Sequence, residues 1–359
     1  MRALVRGVVA ALSISVVVAA PATVSASAAD ETPVQVDRLA GSNRYETAAL
    51  VSAQFPEGAD TVYLANGEDW AQGADAVAAG AAAGSGTVPP LVTDASGRPA
   101  PMLLTRATGL PSATRAALDE IQPTNVVIMG GPGVVQPVVD EELLAAGFEP
   151  IRVFGTNRYG TAAALALTFE PGFDTVYVAS GQPLIPKPPY VPMMPDALTA
   201  SARAGAEGAP VLLTTLTDLP RETREALEAL DPPTITIVGG SGTVTDRVEY
   251  QLSQIAPVSR ISGDTRYGTA AALFESSQPG AANAYLASGE YFADSLSVSA
   301  LAASQGAPLL LARKNHVPTD SREVLISVSP EAVRLIGGPA MLEDALLDDV
   351  RDFLSTAPG

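Results

Sequence analysis

The chain contains no cysteine and a single histidine, His316. Without cysteine there can be no disulfide, no thiolate nucleophile and no thiolate metal site. One histidine in a polar turn, with no counterpart elsewhere in the chain, leaves a thin catalytic inventory. No Walker loop, G-x-S-x-G elbow or clustered metal-ligand spacing is present either. Basic residues are few: 21 lysines and arginines face 39 aspartates and glutamates, for a formal charge of −18. That balance excludes a general basic surface for nucleic acid or anionic lipid. Past the first residues no run is apolar enough to cross a bilayer.

The first residues read as a targeting segment. Arg2 and Arg6 make a basic start, Val8 to Ala20 is mostly apolar, and Ala26-Ser27-Ala28 has the A-x-A form of a cleavage site. The expectation is a signal peptide over residues 1–28, a secreted product and no membrane association after cleavage. An uncleaved anchor is the alternative. A cysteine-free exported chain needs its apolar core alone for stability, and repeats of about a hundred residues can bury one.

What fills the rest is a threefold repeat. Arg38-Leu-Ala-Gly-Ser-Asn-Arg-Tyr-Glu-Thr-Ala-Ala49 returns as Arg152-Val-Phe-Gly-Thr-Asn-Arg-Tyr-Gly-Thr-Ala-Ala163 and as Arg260-Ile-Ser-Gly-Asp-Thr-Arg-Tyr-Gly-Thr-Ala-Ala271. The shared core is R-x-x-G-x-x-R-Y-x-T-A-A. Its second arginine falls at Arg44, Arg158 and Arg266, spacings of 114 and 108 residues, far longer than a solenoid unit and close to a small domain. Four further landmarks follow in fixed order. They are an apolar run ending in Asn66-Gly67, Ser180-Gly181 or Ser288-Gly289; an aspartate opening an Ala-rich helix at Asp75, Asp196 and Asp294; an Ala-Pro-led apolar strand from Ala100, Ala209 and Ala307; and an apolar strand running into Gly130-Gly131, Gly239-Gly240 or Gly337-Gly338. The expected division is repeats over 37–147, 148–256 and 257–357.

Strand and helix signals alternate through each repeat, which predicts an α/β fold with mostly parallel sheets. In the first repeat Asn43 is placed to cap a helix running through Ser52, with Glu46 completing a capping box. A helix is expected over Asp75 to Ala83, another over Ser112 to Ile121 and a closing one near Val138 to Ala146. Two insertions break the pattern: a Gly/Pro/Ser-rich stretch over Gly84 to Pro99 and a proline-dense one over Pro183 to Pro195, which cannot be helix or central strand. The latter is either a tolerated surface loop or a recognition loop. Near Ala340 to Leu354 a last helix carries Glu343, Asp344, Asp348, Asp349 and Asp352, read as a solvated face rather than a metal site.

In parallel α/β sheets ligands bind at the carboxyl ends of the strands, where the arginine turn, the Asn/Ser-Gly turn, the aspartate and the glycine pair all fall. Glycines there would let backbone approach a ligand and leave amides free, helix N-termini favour anions, and arginine offers a bidentate fork. Arg44, Arg158 and Arg266 either grip a ligand or pair with Asp75, Asp196 and Asp294 of their own repeats. The first arginines, Arg38, Arg152 and Arg260, are read as contacts between repeats. Tyr45, Tyr159 and Tyr267 are read as packing residues, and the threonines after them as caps or packing.

The ordered triplication resembles the type 2 cell-wall-binding repeat family of Gram-positive surface proteins, and the resemblance covers the chain beyond the targeting segment. It implies three tandem Rossmann-like or toprim-like modules packed around a pseudo-threefold axis, a monomer with that internal arrangement, and no catalysis, cofactor or metal. It also implies attachment to the wall through an anionic secondary polymer, with the arginine turns and the Gly-Gly loops as the binding edge. The candidate polymer-binding set is therefore Arg44, Arg158, Arg266, Asp75, Asp196, Asp294, Gly130, Gly131, Gly239, Gly240, Gly337 and Gly338. The first repeat departs from the pattern by three extra residues between Gly67 and Asp75, and the second by its proline loop. Two other readings stand beside this one: a wall- or sugar-active hydrolase using carboxylates in one diverged crevice, and an exported solute-binding protein.

Overall fold

The computed structural model describes residues 34–356, apart from 57, 69–72, 90–91, 93–95, 184–193 and 276–279. The signal-peptide reading over 1–28, most of the proline-rich insertion and part of the Gly84 to Pro99 insertion lie outside the described residues.

Twelve strands and twelve helices alternate among the described residues, four of each per repeat. The first repeat has β1 (Gln35–Leu39), α1 (Arg44–Ser52), β2 (Thr61–Asn66), α2 (Ala79–Ser85), β3 (Met102–Thr105), α3 (Ser112–Ile121), β4 (Asn125–Met129) and α4 (Pro137–Ala145). The second has β5 (Glu149–Val153), α5 (Arg158–Ala166), β6 (Val176–Ser180), α6 (Pro195–Ala206), β7 (Val211–Thr214), α7 (Arg221–Leu230), β8 (Ile235–Val238) and α8 (Asp246–Ser253). The third has β9 (Val258–Ile261), α9 (Arg266–Phe274), β10 (Asn283–Ser288), α10 (Phe292–Gln305), β11 (Leu309–Ala312), α11 (Thr319–Val328), β12 (Ala332–Ile336) and α12 (Ala345–Ser355).

The strands form three four-stranded sheets, β3-β2-β4-β5, β7-β6-β8-β9 and β11-β10-β12-β1, and every pairing within them is parallel. Each sheet thus takes three strands from its own repeat and its fourth from the start of the next. The third sheet takes β1, so the first and last strands of the fold lie side by side with Leu39 opposite Ile336. The inner strands of the first two sheets, β2, β4, β6 and β8, are buried along their whole length and are mostly apolar, as parallel strands covered on both faces are. The donated strands β1, β5 and β9 are edge strands and only partly buried.

Three helices, α2, α6 and α10, pack on one another where the repeats meet. All three are rich in Ala, Gly and Ser. A Cβ on Gly84 would sit 2.2 Å from the Cβ of Ala303, and one on Gly205 would sit 2.8 Å from the Ala81 carbonyl oxygen. Ser201 Oγ donates to the Val77 carbonyl. Small residues let the helix backbones approach closely, and one continuous apolar core joins all three repeats there.

Helix placement follows local chemistry. Asn43 accepts hydrogen bonds from the Tyr45 and Glu46 amides, and Asn157 from those of Tyr159 and Gly160. Glu46 reaches back one residue further than a capping box requires, accepting from the Ser42 amide at 2.8 Å. Helices α3, α7 and α11 end in left-handed residues, Gln122, Asp231 and Ser329. The helix expected over Asp75 to Ala83 is in two pieces: a 3-10 turn at Ala74–Ala76, then α2 from Ala79. No side chain caps either piece, whereas Asp196 and Asp294 lie within the first turns of α6 and α10.

Candidate functional site

Because every sheet is parallel, the carboxyl ends of its strands share one edge, and the repeated residues collect there. The first arginines lock the sheets together. Arg38 Nη1 donates to the Gly337 carbonyl at 2.6 Å, Arg152 Nη1 to that of Gly130 at 3.0 Å, and Arg260 Nη1 to that of Gly239 at 2.7 Å. Each also meets a carboxylate at the closing helix of the sheet it joins: Asp344 at the N-cap of α12, Asp140 within α4 and Glu249 within α8. Their reading as contacts between repeats holds.

The glycine pairs are drawn into the same lock. The amides of Gly130, Gly239 and Gly337 donate to the carbonyls of Val153, Ile261 and Leu39, so the expectation that these glycines leave amides free is wrong for the first of each pair. The sheet has extended by one rung. Their φ angles of +106°, +114° and +107° explain the residue type, as does crowding: a Cβ on Gly337 would lie 2.4 Å from Asp294 Oδ2. In the second positions, Gly131 lies under the half-exposed Phe154 ring, while Gly240 and Gly338 stand open.

The second arginines reach across their own repeat but not to its aspartate. Arg44, Arg158 and Arg266 each donate through Nη1 to the glycine carbonyl of the Asn/Ser-Gly turn, at Gly67, Gly181 and Gly289. That turn is itself capped, since Asn66 Oδ1, Ser180 Oγ and Ser288 Oγ accept from the amide two residues on. The charge facing Asp75 is Arg158, that facing Asp196 is Arg266, and that facing Asp294 is Arg44. The pairing of arginine and aspartate within one repeat is therefore corrected: each aspartate looks across a junction at the next repeat, and the third looks at the first. The offset follows from the donated strand, which carries the arginine turn over the neighbouring sheet.

The threonine of the repeated motif is a junction residue as well as a packing one. Thr47, Thr161 and Thr269 accept from the amides of Gly41, Gly155 and Gly263, and Thr161 Oγ1 donates to Asp75 Oδ1 at 2.6 Å. The helix N-termini are closed to an anion at the amides that Asn43 and Asn157 occupy, which corrects the expectation that they would attract one. The tyrosines do pack: a Cβ on Gly181 would fall 2.8 Å from the Tyr159 ring. Arg106 and Arg313 lie over the Tyr45 and Tyr267 rings at 5.5 and 5.0 Å.

All three aspartates are buried. Burial raises their carboxyls, opposed by the Thr161 hydroxyl at Asp75, by the Thr243 hydroxyl at Asp196 and by the facing arginine at all three: Asp196 and Asp294 are pushed up to about 6, and Asp75 moves in the same direction. Two junctions open into crevices. One, of about 460 Å³, holds Asp196, Thr243, Arg266, Glu290 and Arg313. The other, of about 610 Å³, holds Arg44 and Asp294 with Tyr291, Phe292 and Met341. Arg313, Tyr291 and Met341 were not legible as site residues, because none of them is repeated in all three units. Of the acids expected on the last helix, Glu343 and Asp344 precede it; Asp344 pairs with Arg38, and Asp349 within the helix pairs with Arg322. Among the described residues no cluster of acids or histidine is placed to hold a metal, and no helix is long and apolar enough to cross a membrane.

Comparison with known proteins gives the same three units. A family model described as Cell wall binding domain 2 (CWB2) matches residues 38–140, 152–249 and 260–347. The N-acetylmuramoyl-L-alanine amidase LytC of Bacillus subtilis is 26% identical over 317 residues, covering 88% of this chain and 58% of the amidase. The amidase enhancer of the same organism is 27% identical over 323 residues, covering 90% of this chain and 41% of that protein. Among solved structures, Cwp6 from Clostridium difficile matches with a TM-score of 0.77 and 25% identity, over 90% of this chain and 48% of that one. Cwp8 from the same organism matches at 0.71 and 26%, over 90% and 52%. The chain spans about half the length of these relatives.

Proposed function

Because the chain belongs to the cell wall binding domain 2 family, we propose that it attaches non-covalently to the bacterial wall by gripping an anionic secondary polymer at the junctions between its repeats. The observation that carries this reading is one arrangement present three times. An arginine held by a glycine carbonyl at the strand ends faces the buried aspartate of the preceding repeat. Arginine is the residue suited to phosphate or carboxylate, and the bond from Arg44, Arg158 and Arg266 to a glycine carbonyl holds each guanidinium at the strand ends. Arg44, Arg158 and Arg266 are the charged contacts of this reading. Asp75, Asp196 and Asp294 form the floor, and Gly130, Gly131, Gly239, Gly240, Gly337 and Gly338 form the rim. Three weak grips on one polymer add through effective concentration, so a surface of net negative charge can still hold a polyanion. We assign the part shared with the amidase and its enhancer to attachment rather than hydrolysis, acting on the outer face of the cell after export as a monomer.

Co-sedimentation tests this. Purified protein should pellet with intact walls and remain in solution with walls whose secondary polymers have been removed by acid. Equal pelleting with extracted walls would overturn the polymer, and release of soluble muropeptides during the incubation would overturn the non-catalytic role.

A further inference from the structure

The junction between the third and first repeats differs in chemistry from the one between the second and third. At its mouth stands Tyr291, half-buried at the N-cap of α10, and beside it Phe292, whose ring lies so close to Gly73 of the first repeat that a Cβ there would be 2.5 Å away. Where the second crevice has Thr243, whose hydroxyl donates to Asp196 at 3.3 Å, this one has Met341, at the same place after the glycine pair. The polar groups of the lining include Asn43, Arg44, Glu68 and Asp294, and Ala293 and Ala340 extend its apolar side. A cavity of about 610 Å³ with an apolar wall and convergent polar groups falls in the size range of small-molecule sites, about 300–1,000 Å³.

We infer that the crevice between the third and first repeats is a sugar-ring subsite, in which Tyr291 and Met341 take the C–H face of a pyranose while Arg44, Asn43 and Glu68 take its hydroxyl or acetamido groups. The inference rests on the wall-attachment reading and adds to it a division of labour: this junction reads the sugar of the polymer. An aromatic ring beside a flexible thioether suits such a face, being apolar and broad; in the second crevice Arg313 lies over the Tyr267 ring at 5.0 Å and Thr243 stands where Met341 does here. Asp294, its carboxyl shielded in the crevice floor, can donate as well as accept near pH 6. One consequence is structural. Asn43, Arg44 and Glu68 belong to the first repeat and Tyr291, Asp294 and Met341 to the third, so a ring bound here bridges the two repeats that β1 and β12 join. Occupancy therefore favours the paired state of those strands, as any ligand specific for the closed form must.

The test uses the full chain and, as probe, polymer fragments released from walls by mild acid and then stripped of their anionic groups. Tyr291→Ala and Met341→Thr should each weaken binding of these neutral fragments at least tenfold by isothermal titration, while Tyr250→Ala, at an exposed ring outside both crevices, leaves it within twofold. Met341→Thr installs the residue that Thr243 already is, so it keeps the test valid if Tyr291→Ala fails to fold. In hydrogen exchange the fragments should protect the β1 amides more than those of β5 or β9. Unchanged fragment binding in both variants, or equal protection of the three donated strands, overturns the subsite. If wild-type protein fails to pellet with walls, the wall-attachment reading has failed instead; if it pellets and both variants bind fragments as wild type does, only the subsite has.

Discussion

Arg38 Nη1 lies 2.6 Å from the carbonyl oxygen of Gly337, 299 residues further along the chain. The same bond joins Arg152 to Gly130 over 22 residues and Arg260 to Gly239 over 21. One contact is thus made twice locally and once between the two ends of the fold. What the first two achieve along the chain, the third achieves by closing it. Loop-closure entropy grows only with the logarithm of length, so the long-range copy is affordable once the other two junctions have positioned the third sheet.

The offset between repeat and sheet decides which fragments can fold. A fragment over 148–256 carries β5, which has no sheet to join, and lacks β9, which completes its own. A fragment over 154–262 carries β6 to β9 complete. The second should show the sharper, more cooperative urea transition by circular dichroism, and the reverse ranking would contradict the shared-strand account.

The locks should not be equal. Removing Arg152 leaves the Gly130 carbonyl and Asp140 without their partner, and that carboxylate is only 24% exposed. Arg152→Gln should therefore cost on the order of 3 kcal/mol. Asp344, the partner of Arg38, is 73% exposed, so Arg38→Gln returns it to water and should cost about 1 kcal/mol. Urea midpoints of the two variants would settle the order.

Changing Arg44, Arg158 and Arg266 together to glutamine separates gripping from bracing. Each substitution loosens a half-exposed bond to a glycine carbonyl, worth about 1 kcal/mol, so the triple variant should fold with a melting midpoint lower by several degrees. Wall pelleting should nevertheless vanish. A folded variant that still pellets would remove these arginines from the polymer site.

Stability should fall as pH rises through the window from about 4 to 6. In the folded chain Asp196 and Asp294 hold their protons up to about 6, while the unfolded chain releases them near 4. The folded state therefore binds more protons inside that window, and stability declines with pH there. Glu46 and Glu222 are shifted the other way by hydrogen bonds, chiefly from Ser42 and from the Glu222 amide. What they add is present at higher pH and is lost on acidification below the ordinary carboxylate range. The double variant Asp196→Asn, Asp294→Asn should flatten the decline between pH 4 and 6 in thermal melts. An unchanged slope would show that these carboxyls titrate normally.

The centre where α2, α6 and α10 meet should reject a single methyl group. Alanine is favoured over glycine by about 1 kcal/mol in an exposed helix. Yet a Cβ on Gly84 would fall 2.2 Å from that of Ala303 and 2.8 Å from the Ala300 carbonyl oxygen. Overpacking of this kind costs about 1–3 kcal/mol, so Gly84→Ala should lower stability, whereas Gly208→Ala has open space and tests only the φ of +65°.

Much of this protein was legible along the chain because it is local or repeated. The strand and helix order, the Asn43 cap, the α3 span over Ser112–Ile121 and the role of Arg38, Arg152 and Arg260 between repeats all follow from short-range chemistry read three times over. The partner of each aspartate did not. Asp75 sits in the same repeat as Arg44, yet it faces Arg158, because β5 and not β1 completes the first sheet. In sequence, a strand at a repeat boundary is equally suited to the sheet before it and the sheet after it, since parallel pairing asks only for an apolar edge and a crossover on the correct side. Choosing between them requires the whole ring to close, and that condition is met only when β1 finds β12. The same holds for Tyr291 and Met341. Neither carries a motif, and what makes them neighbours of Arg44 is the meeting of the first and third repeats in the folded chain.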